Sequence, residues 1–310
     1  MKEKNNHTAV GLNHPLHFQQ PKPIRKAVIP VAGLGTRFLP VTKTIPKEML
    51  PIVDKPAIQY IIEEALESGI EQIILVNSKG KSAIEDYFDS DTALESFLEQ
   101  RKKFTELDLM RKLSNLIDIV IARQKKPLGL GHAIHCAQSF VGNEPFAVLL
   151  PDDLIKSNVP CLKQLIGAYQ EYKANVIAVM EIEKKHAPLY GIIEGQMHAD
   201  NNRVHLLKNL IEKPSEQKAP SSLAVIGRYI LSPALFHCLA STQKGAGGEI
   251  QLTDALCELL QQEPIIGYRY EGLRFDVGEK TGFVEANLFF AALRPDMKER
   301  LKSFMKQLEF

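Results

Sequence analysis

The sequence predicts an α/β fold, a doubly wound and mostly parallel central sheet flanked by helices. Three observations carry that prediction. Short, β-branched, almost continuously apolar runs alternate with amphipathic stretches of 3.6-residue period from Lys26 to Ile182. The first run, Ala27-Val28-Ile29-Pro30-Val31, opens directly into Ala32-Gly33-Leu34-Gly35. The chain of 310 residues, 45% hydrophobic and 24% charged, has ordinary globular composition and can bury a substantial core.

Residues 1–25 are polar, lack an apolar secretory core and read as a flexible extension ahead of the folded unit. Strands are expected over 26–31, 72–76, 117–121, 146–150 and 176–182, each covered on both faces. Between them, 57–68 carries Ile58, Ile61, Ile62 and Leu66 on one stripe and stops at Gly69, which suits the position after a helix cap. Helices are also expected over 92–113 and 161–172. After Ile182 the texture is richer in strands, over 190–194, 203–211, 224–231 and 265–270, which should extend the sheet and build a second lobe. A helical tail runs from 281 to the C-terminus. In a sheet of this kind ligands meet the loops after the strands.

With 38 basic and 37 acidic side chains the net charge is +1, which provides no overall field for nucleic acid or an anionic membrane surface. No apolar run approaches the ~20 residues of a membrane span. Cys136, Cys161, Cys238 and Cys257 are widely spaced, signal neither zinc site nor disulfide scaffold, and fit a reducing cytoplasm. His132, His135 and Cys136 share one short helix but have no supporting ligand, so they read as packing.

The densest chemical signal is Gly33-Leu34-Gly35-Thr36-Arg37. Two glycines let backbone N–H groups approach an anion, and an arginine just beyond can clamp phosphate oxygens. The spacing matches neither a Walker A loop nor G-x-G-x-x-G, because Phe38 occupies the third glycine position. The next segment carries Pro40, Pro46, Pro51 and Pro56, which forbid a regular helix and hold Lys43, Lys47, Glu48 and Lys55 on an extended loop. Such lysines can cover a triphosphate, or simply stay solvated. Asp152 and Asp153 end a buried strand and Asp276 ends another apolar stretch, which suits hard-cation ligands or turn caps. Gln124 offers an amide to a base edge. Glu212 and Lys213 suit a sugar phosphate, or form a surface pair; Glu249 suits a helix start.

The run AGLGTRFLPVTKTIPKEMLPIVDKP (32–56) resembles the signature of bacterial UTP:glucose-1-phosphate uridylyltransferases, the UDP-glucose pyrophosphorylases. The likeness continues in RQKKPLGLGHA (123–133), LLPDD (149–153), YGIIE (190–194), IEKP (211–214), GRYIL (227–231), GEIQLTDAL (248–256) and RFDVGEKTGF (274–283), over nearly all of 26–290. The resemblance implies a Rossmann-like nucleotidyltransferase fold with a mixed, mostly parallel sheet. Residues 26–290 would be the catalytic domain and 291–310 a helical tail able to contact another subunit of a homodimer or homotetramer. It implies UTP and glucose 1-phosphate as substrates, UDP-glucose and pyrophosphate as products, and Mg²⁺ held by Asp152 and Asp276, with Asp153 left to cap a turn. Arg37 and Lys47 would serve the triphosphate and leaving group, and Lys213 the sugar phosphate. Ala32, Gly33, Gly35, Glu48, Gln124 and Gly129 would line the nucleotide site, with Gly191 and Glu212 on glucose and Glu249 near the sugar. Val277 stands where this family more often has cysteine. Glucose-1-phosphate thymidylyltransferases share a related cradle, but theirs usually begins with two glycines where this chain has Ala32-Gly33. A non-catalytic regulatory paralogue should have lost charged residues that this chain keeps. A dinucleotide-dependent oxidoreductase would need the missing third glycine.

Overall fold

The computed structural model describes residues 21–245 and 248–308. The extension expected over 1–25 therefore lies, up to residue 20, outside the described residues. Thirteen strands follow in chain order: β1 (Lys26–Pro30), β2 (Pro51–Ile52), β3 (Lys55–Pro56), β4 (Gln72–Asn77), β5 (Asp118–Arg123), β6 (Phe146–Leu149), β7 (Asp153–Lys156), β8 (Asn175–Glu181), β9 (Gly191–Met197), β10 (Val204–Glu212), β11 (Leu223–Leu231), β12 (Ile265–Arg269) and β13 (Leu273–Asp276). Nine of them form one mixed sheet in the order β5-β4-β1-β6-β11-β8-β12-β10-β9. The parallel block is β5-β4-β1-β6. β11 then enters antiparallel between β6 and β8. The β2–β3 hairpin and a two-stranded antiparallel pair, β7–β13, stand outside the sheet.

The strands bury both faces by their period of two. Ala27, Ile29, Ile73, Leu75, Ala147 and Leu149 pack with Ile58, Ile61 and Ile62 of helix Ala57–Glu67 on one side. Val28, Ile74, Val76, Phe146 and Val148 pack with Ile134, Phe236 and Leu256 on the other. β5 departs from the expectation of two-sided cover. It is the sheet edge, and Ile121 is exposed.

Helix Ala57–Glu67 ends as its glycine suggests: Gly69 takes φ +91°, Ile70 N–H donates to Ala65 O, and Gly69 N–H donates to Leu66 O. The helix expected over 92–113 is instead two, Thr92–Gln100 and Phe104–Ser114. The same capping geometry divides them, with Lys103 N–H on Leu98 O and Lys102 N–H on Glu99 O. Here a lysine, Lys102, accepts the left-handed conformation at φ +58°, so no glycine marks the stop. Leu98 and Leu107 are both buried, so folding the stripe back on itself puts both halves against the core. The tail also divides, into Lys280–Leu293 and Pro295–Gln307, because Pro295 holds Arg294 in an extended conformation. The proline-rich loop after β1 is more structured than an extended loop: three short 3₁₀ turns, Thr36–Phe38, Val41–Lys43 and Lys47–Met49, precede the β2–β3 hairpin.

Candidate active site

Two cavities open at the ends of the strands and meet at Leu130, Leu150 and Asp152. The larger, about 430 Å³, is lined by the cradle residues Ala32, Gly33 and Gly35 together with Lys47, Glu48, Gln124, Gly129 and Glu249. The smaller, about 210 Å³, is lined by Arg37, Gly191, Glu212, Thr253, Arg274 and Asp276. Asp152 belongs to both walls, so a group entering from either side reaches the same carboxylate.

The cradle is shaped by its glycines. Gly35 sits at φ +66°, where a side chain would press against Lys47 and Thr42, and Thr42 Oγ1 donates to Gly35 O at 2.7 Å. Gly129 sits at φ +100°, and a Cβ there would lie 2.7 Å from the Glu249 Cβ and 2.9 Å from Ile250 O. The backbone around it is stitched to the later half of the chain: Ile250 N–H donates to Leu128 O, and Gly131 N–H to Ile250 O.

Lys47 reaches from the cradle to Asp152, with its Nζ at 2.5 and 2.6 Å from the two carboxylate oxygens. Glu48 points the other way and is buried. Both its oxygens accept from Lys81 Nζ, which also donates to Val31 O at the end of β1. Burial pushes the Glu48 carboxyl up and the Lys81 ammonium down, each opposed by the other's charge. The pair thus ties the lysine loop to the first strand. Gln124 is buried, and its Nε2 donates to Gly129 O at 3.1 Å and to His132 Nδ1 at 2.9 Å.

On the smaller cavity, Arg37 Nη1 donates to Gly278 O at 3.1 Å, placing the guanidinium beside the Asp276 turn. Glu212 accepts from Thr253 Oγ1 at 2.6 Å. Glu249 lines the larger cavity, where the Gly129 turn packs against it. Lys213 lines neither cavity. Its side chain is 60% exposed, with Nζ 3.7 Å from Glu212 Oε1.

Asp152 and Asp276 converge. Val277 N–H donates to Asp152 O, and a Cβ on Gly278 would lie 2.8 Å from Asp152 Oδ2. Asp276 accepts from Gly278 N–H and from Arg274, while burial, opposed by Arg274 and reinforced by Asp153 and Asp152, pushes its carboxyl up. Hard carboxylate oxygens crowded at one cavity wall fit a divalent cation. Asp153 is buried and, rather than capping its own turn, accepts from Gly227 N–H on β11 and from Arg274.

Behind this wall is a feature that sequence reasoning missed. Arg228 on β11 is 0% exposed, and all five of its donors are used. Nε and Nη2 hold the Glu64 carboxylate, while Nη1 and Nη2 also donate to Leu150 O, Gly227 O and Asp153 O. Both ends of the turn that presents Asp152 are thereby clamped. The one signal in the sequence was a charged residue inside the apolar run of β11. Lys81 and Arg274 were missed too, since each looks solvated until its partner is known, and His132 reads as packing until its bond to Gln124 is seen.

The profile of the nucleotidyl transferase family matches residues 26–292. The chain belongs to this family. It is 50% identical to the UTP--glucose-1-phosphate uridylyltransferase of Bacillus subtilis strain 168 over 93% of this chain and 98% of that one. It is likewise 50% identical to the enzyme of that name from Staphylococcus haemolyticus, over 93% and 100% of the two chains. The UTP-bound UGPase from Acinetobacter baumannii superposes with a TM-score of 0.84 at 41% identity, over 93% of this chain and 100% of that one. A UDP-glucose pyrophosphorylase complexed with UDP-glucose superposes with 0.80 at 43% identity, over 88% and 100%. In the nucleotidyl transferase fold of this chain the described residues contain no helix long and apolar enough to cross a membrane.

Proposed function

We propose that this chain transfers UMP from UTP to glucose 1-phosphate, releasing pyrophosphate and forming UDP-glucose. The observation that carries the reading is the pair of cavities joined at Asp152. One has a glycine cradle and a buried amide for a nucleotide, and the other has paired hydroxyl-binding groups, Glu212 and Thr253, for a sugar. Curated relatives with this activity match at half identity along nearly the whole chain.

Chemically, the attacking group is a phosphate monoester whose second pKa lies near ~6, so it is already anionic at neutral pH and no general base is needed. The protein's task is to bring two anions together and stabilise the charge that develops on the departing pyrophosphate. Lys47 does this from the cradle side and Arg37 from the smaller cavity beside the Asp276 turn, and backbone N–H groups of residues 32–35 cover the phosphates. Lys213, at the rim beside Glu212, aligns the sugar phosphate, and the Gly191 backbone and Glu212 hold the glucose hydroxyls. Asp152 and Asp276 would hold Mg²⁺, whose chemistry when bound is to screen phosphate charge and polarise the reacting phosphoryl group. Residues 26–290 form the catalytic unit. Residues 291–310 and the exposed Val284, Leu288, Leu293, Phe304 and Met305 supply a homodimer or homotetramer contact. With all four cysteines unpaired, the enzyme works in the reducing cytoplasm.

The test is pyrophosphate release across four nucleoside triphosphates and several sugar 1-phosphates, with and without Mg²⁺. Release only with UTP, glucose 1-phosphate and Mg²⁺ is expected. Preference for TTP would transfer the reading to a thymidylyltransferase, and binding of UTP without turnover to a regulatory paralogue.

A further inference from the structure

The amide of Gln124 is held on one side only. Its Nε2 carries two hydrogens, and the structure assigns both: one to Gly129 O, an obligate acceptor, and one to His132 Nδ1. Gln124 is 6% exposed and lines the larger cavity, so with its amino group spent the group left for a ligand is Oε1, an acceptor. His132 can accept on Nδ1 only as the neutral tautomer with its hydrogen on Nε2. Burial, with the neighbouring His135, disfavours the charged ring. The ring is positioned by helix Leu130–His135, which starts at the left-handed Gly129 and is pinned to Ile250 through Gly131 N–H. One short helix therefore delivers both acceptors that orient the amide.

We infer that His132 is a specificity-determining residue: by accepting the second Gln124 amide hydrogen it keeps Oε1 turned to the base and so selects a pyrimidine with a donor at N3 over one with an acceptor there. Uracil carries N3–H and satisfies Oε1. Cytosine presents a lone pair at N3, so the two acceptors face each other and Oε1 stays unpaired in a desolvated wall. Without His132 the second amide hydrogen has no protein acceptor, the amide gains freedom to turn, and its donor can serve cytosine. His132 acts through Gln124 and is a positioning residue with respect to the reaction.

The inference rests on the proposed use of UTP, so wild-type turnover with UTP and glucose 1-phosphate is measured first. Its absence refutes that proposal and leaves the orientation of the amide unaddressed by activity, so the same ratio is then read as UTP against CTP binding by calorimetry. His132→Leu removes the acceptor. His132→Asn restores one at nearly the Nδ1 position. The expected result is a fall of tenfold or more in the UTP-to-CTP ratio of kcat/KM for the leucine variant, arising chiefly in the KM for UTP. The KM for glucose 1-phosphate stays unchanged, and the asparagine variant keeps a ratio within about threefold of wild type. Where leucine disturbs folding, as read by melting temperature, His132→Ala carries the same expectation. An unchanged ratio in the acceptor-less variants overturns the inference, as does an equal loss on both nucleotides.

Discussion

Replacing Arg228 with methionine removes the clamp behind the Asp152 turn without leaving a large void. Five N–H donors disappear from a site that is 0% exposed. Glu64, itself only 8% exposed, loses its counter-charge and keeps Leu162 N–H at 3.0 Å. The carbonyls of Leu150, Asp153 and Gly227 each lose a charge-assisted bond. Breaking a buried pair from one side costs ~3–5 kcal/mol, mostly because the remaining charge is stranded. At roughly 2 °C per kcal/mol for a chain of this size, the melting temperature should fall by about 6–10 °C. The assay is thermal unfolding followed by far-UV circular dichroism, run beside Glu64→Met and the double Glu64→Met/Arg228→Met. Removal of both charges should cost clearly less than the two single changes together. If Arg228→Met melts within about 2 °C of wild type, or the two changes simply add, the clamp does not hold the turn as argued.

Other outcomes follow from the same geometry. Arg37→Ala should lower kcat by ~100-fold with little change in nucleoside binding, since the guanidinium faces the Asp276 turn and the transferred charge. Stopped-flow rates and UTP titration separate the two, and weaker UTP binding at unchanged turnover would count against it. Asp276→Asn should abolish Mg²⁺-dependent turnover while circular dichroism stays native; full activity would remove Asp276 from the metal site. Burial lowers the titration of His205, helped by Arg269 and opposed by a hydrogen bond with the Arg203 backbone. The unfolded chain then takes up a proton near pH ~6.5 that the native chain refuses, so this histidine costs stability progressively as pH falls below that value. His205→Met should flatten the slope of melting temperature between about pH 7 and 5 relative to wild type. A parallel slope would refute the assignment.

What the sequence made legible was local. The strands and their two-sided cover follow from apolar runs a few residues long. The cradle follows from two glycines and an arginine within five positions, and the structure brings Ala32, Gly35, Lys47, Gln124, Asp152, Glu212 and Asp276 to one joined cavity. What stayed hidden depends on distant partners. Glu64 and Arg228 are 164 positions apart, and no periodicity links an acidic residue late in one helix to a guanidinium inside a later strand. Lys81 sits in a charged turn whose pattern reads as solvent-facing until Glu48 is folded over it. The stop at Lys102 escaped notice because a cap without glycine has no compositional mark. The packing of the Gly129 turn against Glu249 is likewise invisible in the sequence, since the two lie 120 positions apart.

The stitching of Leu128 and Gly131 to Ile250 sets a schedule for biosynthesis. A ribosome extrudes the cradle, the lysine loop and Gln124 long before the segment that pins their far wall, and β6 also waits, for a shorter stretch, until β11 covers its open flank. A nascent or truncated polypeptide ending short of residue 250 should be unable to grip a nucleotide, however well its early strands have paired. Ligand-assisted folding is thus reserved for the nearly finished product.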